Sequence, residues 1–249
     1  MRALVVGNWK LYVPSLKEGR TLLRAIDKAL PRQMKSRVVL APDVSLAVAL
    51  RAVYGGKRLS FGSQSLGEVL EGAHTGSISG AVLKESGIEY VIVGHSEERA
   101  RGESDQVVER KVRAALNARL SPIICIGEES RDHDGLFFTR LGEMVQSALA
   151  RVERAELKRI IIAYEPVWAV SAATAPLPRV ASEAIKYIRK TLASLFGRDE
   201  GARVRILYGG SVDAESARGF ITVGNADGLL VGRHSVFAKD FAAIVRACE

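Results

Sequence analysis

The sequence predicts an α/β protein, a single-domain (β/α)8 barrel over residues 1–249. Three observations predict it: eight short apolar runs, amphipathic segments with helix signals between them, and no linker or low-complexity stretch dividing the chain. Alternation of this kind reads as parallel strands covered by helices, and this length suits a barrel folded as one domain. The competing architecture is a doubly wound open sheet. No GxGxxG follows the first run, where a dinucleotide-binding fold would carry one.

The runs are ALVVGNWK from Ala3, RVVLAP from Arg37, LSFGSQS from Leu59, YVIVGHS from Tyr90, SPIICIGE from Ser121, RIIIAYEP from Arg159, VRILYGG from Val204 and DGLLVGR from Asp227. Each is rich in Val, Ile and Leu without alternation, as strands buried on both faces are. The first helix begins at Pro14 and places Leu16, Leu22, Leu23, Ile26 and Leu30 near one face. GESDQVVERKVRAALNARL, from Gly102, has acidic residues early and basic ones late, matching the helix dipole. SEAIKYIRKTLASLFG, from Ser182, stops at Gly197. Shorter helices are expected near Ser45, Ser77 and Asp213, and VGRHSV opens the last one.

Hydrophobic residues make up 47% and charged residues 26%, which excludes a disordered chain. The formal net charge of +8 points to an anionic partner. Lys and Arg are nevertheless scattered at helical spacing without a contiguous basic arm or a nucleic-acid motif. A field that favours a small anion is the expectation, with no nucleic-acid or membrane partner. Two cysteines, Cys125 and Cys248, form neither a disulfide framework nor a metal pattern, so a cytoplasmic location is expected. No stretch approaches the roughly 20 apolar residues of a membrane span.

In such barrels the chemistry sits where the strands end. The first run ends in Asn8 and Lys10, the fourth in His95 with Glu97, and the sixth in Glu165. Each alone has an innocent explanation as a solvated or hydrogen-bonded residue; their falling at one end of the barrel argues for a site. The loops after strands seven and eight, "YGGSV" and "VGRHSV", bring Gly210, Ser211, Gly232 and Arg233 to the usual phosphate position, where backbone N–H groups face a dianion. Cys125 reads as packing, and no cluster has metal-ligand spacing, so a metal mechanism is unsupported. The remaining chemistry is proton abstraction beside a carbonyl by Glu165, with His95 and Lys10 stabilising the oxygen that becomes negative. A Schiff-base aldolase using Lys10 is the competing enzymatic reading.

The motifs GNWK, YVIVGHSE, AYEPVWA, LYGGSV and DGLLVG, in this order and at these intervals, resemble the triosephosphate isomerase family over essentially the whole chain. The resemblance implies cofactor-independent interconversion of dihydroxyacetone phosphate and D-glyceraldehyde 3-phosphate through an enediolate, a step of glycolysis and gluconeogenesis. It implies that Glu165 is the base and that His95 donates as neutral imidazole at the start of a short helix. It further implies that Lys10 pairs with Glu97, and that Asn8 orients substrate. It also implies a lid of Pro166, Val167, Trp168, Ala169, Val170, Ser171, Ala172, Ala173, Thr174, Ala175 and Pro176, with the Ser171 N–H reaching phosphate. A homodimer is implied, with Thr75 on the docking loop and Gln64 beside it.

The chain departs from the family at particular residues. Where members commonly read PVWAIGTGKTA, it reads PVWAVSAATAP, so the tip glycines are Ser171 and Ala173 and the second hinge ends in Pro176. The family latches its closed lid through the Tyr of YGGS to a backbone N–H at that hinge. Pro176 has no N–H, so Tyr208 is expected to lose the latch. Arg233 stands where the family has a phosphate-site glycine, Glu98 and Arg99 stand for its two arginines, and Ser65 for an asparagine. The non-enzymatic alternative is a barrel that binds a sugar phosphate without turning it over.

Overall fold

The computed structural model describes residues 2–132, 134–169 and 176–249. Eight parallel strands close into a barrel in chain order. They are β1 Leu4–Asn8, β2 Arg37–Ala41, β3 Leu59–Ser63, β4 Tyr90–Val93, β5 Ser121–Ile126, β6 Ile161–Tyr164, β7 Arg205–Tyr208 and β8 Gly228–Val231. All eight apolar runs are strands, so the barrel holds over the open sheet. Closure is made by β1 against β8, with Leu4 opposite Gly228 and Gly7 opposite Val231. A Cβ at Gly228 would overlap the Leu4 carbonyl, which is why that register needs glycine.

The helices are α1 Leu16–Ala29, α2 Val44–Val53, α3 Gly80–Glu85, α4 Ser96–Arg99, α5 Asp105–Asn117, α6 Leu136–Ala148, α7 Pro178–Phe196, α8 Arg198–Arg203, α9 Ala214–Thr222 and α10 Ala238–Ala247. Boundaries follow side-chain caps. Ser15, Asp43, Ser79, Ser104 and Asp213 each accept a backbone N–H at a helix start. The first helix therefore starts at Leu16, leaving Pro14 outside. Asp105 rather than Gly102 opens α5, and Asn117 closes it before Leu120. The seventh begins four residues before Ser182, because Pro178 takes its N1 position. Helix α6 was not singled out from the sequence. Its buried Phe137, Leu141, Met144, Val145 and Ala148 follow helical spacing.

The core has two layers. Inside the barrel lie Leu4, Val6, Val39, Ala41, Tyr90, Ile92, Ile123, Cys125, Ile161, Ala163, Leu207 and Leu230, filling it solidly. A larger cluster, including Val5, Leu40, Phe61, Ile124 and Ile206, fills the space between strands and helices. The strand C-terminal ends converge on one mouth. Among the described residues no helix is long and apolar enough to cross a membrane.

Candidate active site

At the mouth, a cavity of about 390 Å³ is lined by Asn8, Lys10, Tyr12, His95, Glu165, Gly209, Gly210, Ser211, Gly232, Arg233 and His234, among others. Strands β1, β4, β6, β7 and β8 thus deliver side chains to one space. All the described catalytic and phosphate-site candidates face it except Glu97, which opens onto a neighbouring hollow with Gln64 and Arg101. Ser171 and the lid residues Val170, Ala172, Ala173, Thr174 and Ala175 lie outside the described residues.

Glu165 continues the β6 ladder, its N–H donating to the Ile126 carbonyl at 2.8 Å. It is 3% exposed, and its Oε2 has no hydrogen-bond partner among the described residues. Its seat is tight. A Cβ at Gly209 would stand 2.7 Å from Glu165 Cγ, and one at Gly127 would run into the Glu165 backbone. Cys125 packs beneath it, and burial followed by the Glu165 charge and hydrogen bond pushes its thiol well up, so it stays protonated. The sequence reading of Cys125 as packing holds, with the addition that it packs against the carboxylate.

His95 Nε2 lies 3.6 Å from Glu165 Oε1. His95 is also the N-cap of α4: its Nδ1 accepts the Glu97 N–H at 3.2 Å. An acceptor at Nδ1 leaves the ring proton on Nε2, so the imidazole presents a donor to the cavity. Gly94, at φ +72°, makes the turn that swings His95 off the end of β4, a conformation glycine adopts freely.

Lys10 Nζ pairs with Glu97 Oε1 at 2.6 Å. Burial raises the Glu97 carboxyl, but the hydrogen bond and charge of Lys10, with His95 and Arg101, bring it below its ordinary value. Lys10 itself adopts φ +46°, a left-handed conformation that costs a side-chain-bearing residue. The turn is held by the Lys10 N–H donating to Asn8 Oδ1 at 3.1 Å and by Gln64 Nε2 donating to the Lys10 carbonyl at 3.0 Å. Gln64, expected near an interface, therefore also braces the lysine within its own chain. Thr75 lies exposed on the loop after β3.

At the phosphate end, Arg233 opens a short 3-10 turn and needs no glycine conformation. Its guanidinium lies over the Tyr12 ring at 5.6 Å from the centroid. The replacement of glycine by arginine thus adds a cation to the mouth without straining the backbone.

The lid entry is anchored by residues that sequence reasoning missed. Val167–Ala169 forms a 3-10 turn, and the Val167 N–H donates to the Glu128 carbonyl at 2.9 Å. Glu128, 2% exposed, accepts through Oε1 from Trp168 Nε1 at 3.0 Å, Tyr164 Oη at 2.8 Å and Arg131 Nε at 2.9 Å. The strand-end rule that found Glu165 also marks Glu128, at the end of β5. Pro176 is half-buried, and among the described residues Tyr208 Oη is buried without a hydrogen-bond partner. Tyr208 instead stacks on Phe220, with centroids 3.8 Å apart. Arg99 bonds the Gly94 carbonyl at 2.9 Å and Asp105 at 2.7 Å. Ser65 Oγ accepts from Lys111 Nζ at 2.9 Å. Among the described residues, no group of three or more His, Cys, Asp and Glu is placed to hold a metal.

A model of the triosephosphate isomerase family matches residues 3–248. The triosephosphate isomerase of Caldanaerobacter subterraneus subsp. tengcongensis is 37% identical over 98% of both chains. That of Syntrophotalea carbinolica is 38% identical over 98% of both. The Fusobacterium nucleatum enzyme is 36% identical over 99% of both. The match spans every strand that feeds the mouth, and by it the chain belongs to the triosephosphate isomerase family.

Proposed function

We propose that this protein interconverts dihydroxyacetone phosphate and D-glyceraldehyde 3-phosphate without a cofactor, with Glu165 as the base. The observation that carries the residue roles is the facing pair at the mouth. A buried carboxylate with an unpartnered oxygen lies 3.6 Å from an imidazole nitrogen that bears a proton. Glu165 takes a proton from one carbon beside the carbonyl and returns it to the other. The charge that develops on oxygen is met by the Nε2–H of His95 and by Lys10, while Asn8 sets the lysine turn. Glu97 pairs with the ammonium and fixes its position.

Gly210 and Gly232 offer backbone N–H groups to the phosphate, Ser211 adds its own once that N–H leaves the Ala169 carbonyl it bonds at 3.4 Å, and Arg233 adds a guanidinium. The segment from Pro166 to Pro176, with Ser171 at its tip, covers the enediolate and keeps water out, which protects it from losing phosphate. A homodimer docking through the Thr75 loop, and work in the cytoplasm, complete the reading. Exposed Leu11 at 78% and Tyr12 at 44%, beside Lys10, supply the apolar surface such a contact uses.

The test is isomerisation by the purified protein beside Glu165→Gln. General-base catalysis predicts a fall of roughly 10²–10⁴-fold in the variant with inorganic phosphate binding retained. Phosphate binding with no turnover in either protein would put the binding-only barrel in place of the enzyme.

A further inference from the structure

The sequence scatters its basic residues; the fold collects them. At the end of the barrel opposite the mouth, a cavity of about 670 Å³ is lined, among the described residues, by ten Lys and Arg side chains and by no acidic one. It opens where the strands begin, at Arg37, Tyr90, Ser121, Ile161 and Arg205. Five-residue strands separate it from the mouth by ~15 Å, so the two concavities are independent.

Two sets of cations line it. Arg37 is held by Tyr90, whose Oη accepts from Nη1 at 2.8 Å, and Arg58 is fixed by Asp27 at 2.9 Å. These are oriented in advance. Lys57 and Lys158 are exposed and carry no ion pair or hydrogen bond among the described residues, as do Arg2 and Arg32. Gathering unpaired like charges around one concavity opposes folding through mutual repulsion, and a multivalent anion relieves it. Of the nearby carboxylates, Asp27, Glu200 and Glu249 are engaged by Arg58, Arg203 and the backbone N–H groups of Lys35 and Ser36, while exposed Glu89 acts on Arg37 by its charge alone and offsets part of the positive field.

We propose that this cavity is a second anion site that takes a compact polyphosphate of the triphosphate class. Its volume lies in the range of small-ligand pockets. Among the described residues the only aromatic ring lining it is Tyr90, 4% exposed and bonded to Arg37, which offers no platform for stacking nucleobases. A concave cluster without such a platform suits a small anion of high charge density better than an extended nucleic acid.

The experiment is calorimetric titration with inorganic triphosphate, with glycerol 3-phosphate in excess to fill the mouth, at low and at moderate salt. The unaltered protein and a Lys57→Glu, Lys158→Glu double variant are compared, with isomerase turnover as the check on folding. The expected result is saturable binding that weakens with salt and falls at least roughly tenfold in the variant, with turnover unchanged. Equal affinity in both proteins overturns the proposal, as does loss of the signal when glycerol 3-phosphate is added. Orthophosphate binding as tightly as triphosphate overturns it too. Duplex DNA binding more tightly, with the same sensitivity to the variant, would replace the small-anion site by a nucleic-acid surface.

Discussion

Trp168 Nε1 donates to Glu128 Oε1 at 3.0 Å, so the entry to the lid hangs from a buried carboxylate on the loop after β5. The same oxygen holds Tyr164 and Arg131. Glu128→Gln removes the charge from all three bonds and leaves Arg131 without its buried counter-ion. Hydrogen bonds to charged groups are worth about 1.5–3 kcal/mol, so an unfolding free energy lower by about that much is expected. Denaturant titration checks it; an unchanged midpoint would show that the anchor contributes nothing.

Tyr208 Oη is buried and unpartnered, and Pro176 has no N–H to give it. Tyr208→Phe is therefore expected to leave turnover within about twofold, since no bond is lost. Pro176→Ala supplies an N–H, and a regained bond of about 0.5–1.5 kcal/mol raises turnover by up to about tenfold. In the Pro176→Ala background, Tyr208→Phe should then cancel the gain. Additive effects in that double-mutant cycle would rule out the latch account.

Lys10 combines a left-handed backbone with the mouth's ammonium. Lys10→Gly relieves a conformational cost of about 1 kcal/mol and removes the charge. Thermal stability should rise or hold while kcat/KM collapses. A variant that is both less stable and inactive would mean that the Glu97 pair outweighs the strain.

Arg233 brings its guanidinium to the phosphate end over Tyr12. Arg233→Gly should raise KM for triose phosphate several-fold, more at low salt than at high, and leave kcat nearly unchanged. A KM that falls on substitution would show that the side chain crowds the site instead of serving it.

Asp105 opens α5 between Arg99 and Arg140. Burial pushes its carboxyl up, but hydrogen bonds and charges from the two arginines outweigh that and hold it below its ordinary value. A folded pKa below the unfolded one gives stability that is present above about pH 4 and is lost as pH falls through the folded value. Asp105→Asn should therefore be less stable than the unaltered protein at pH 7, with the gap closing at a pH below the folded value. Urea midpoints at the two pH values decide it, and an equal gap at both would remove the linkage.

The strands were legible because each is an unbroken apolar run, and the site because Asn8, Lys10, His95 and Glu165 end such runs. Helix starts were blurred where a proline or glycine precedes the true cap, as Pro14 precedes Ser15 and Gly102 precedes Ser104. Arg131 was illegible: its place beside Glu128 and Tyr164 comes from a loop conformation, not from a local pattern. The basic cavity was illegible for a related reason. Arg37, Lys57, Lys158 and Arg205 are far apart in sequence, and only barrel closure makes them neighbours.

The seat of Glu165 between Gly127 and Gly209 also limits which sequences can carry this site. Neither glycine can gain even a methyl group without displacing the base, so neighbouring sequences reachable by one step at those positions are closed to it.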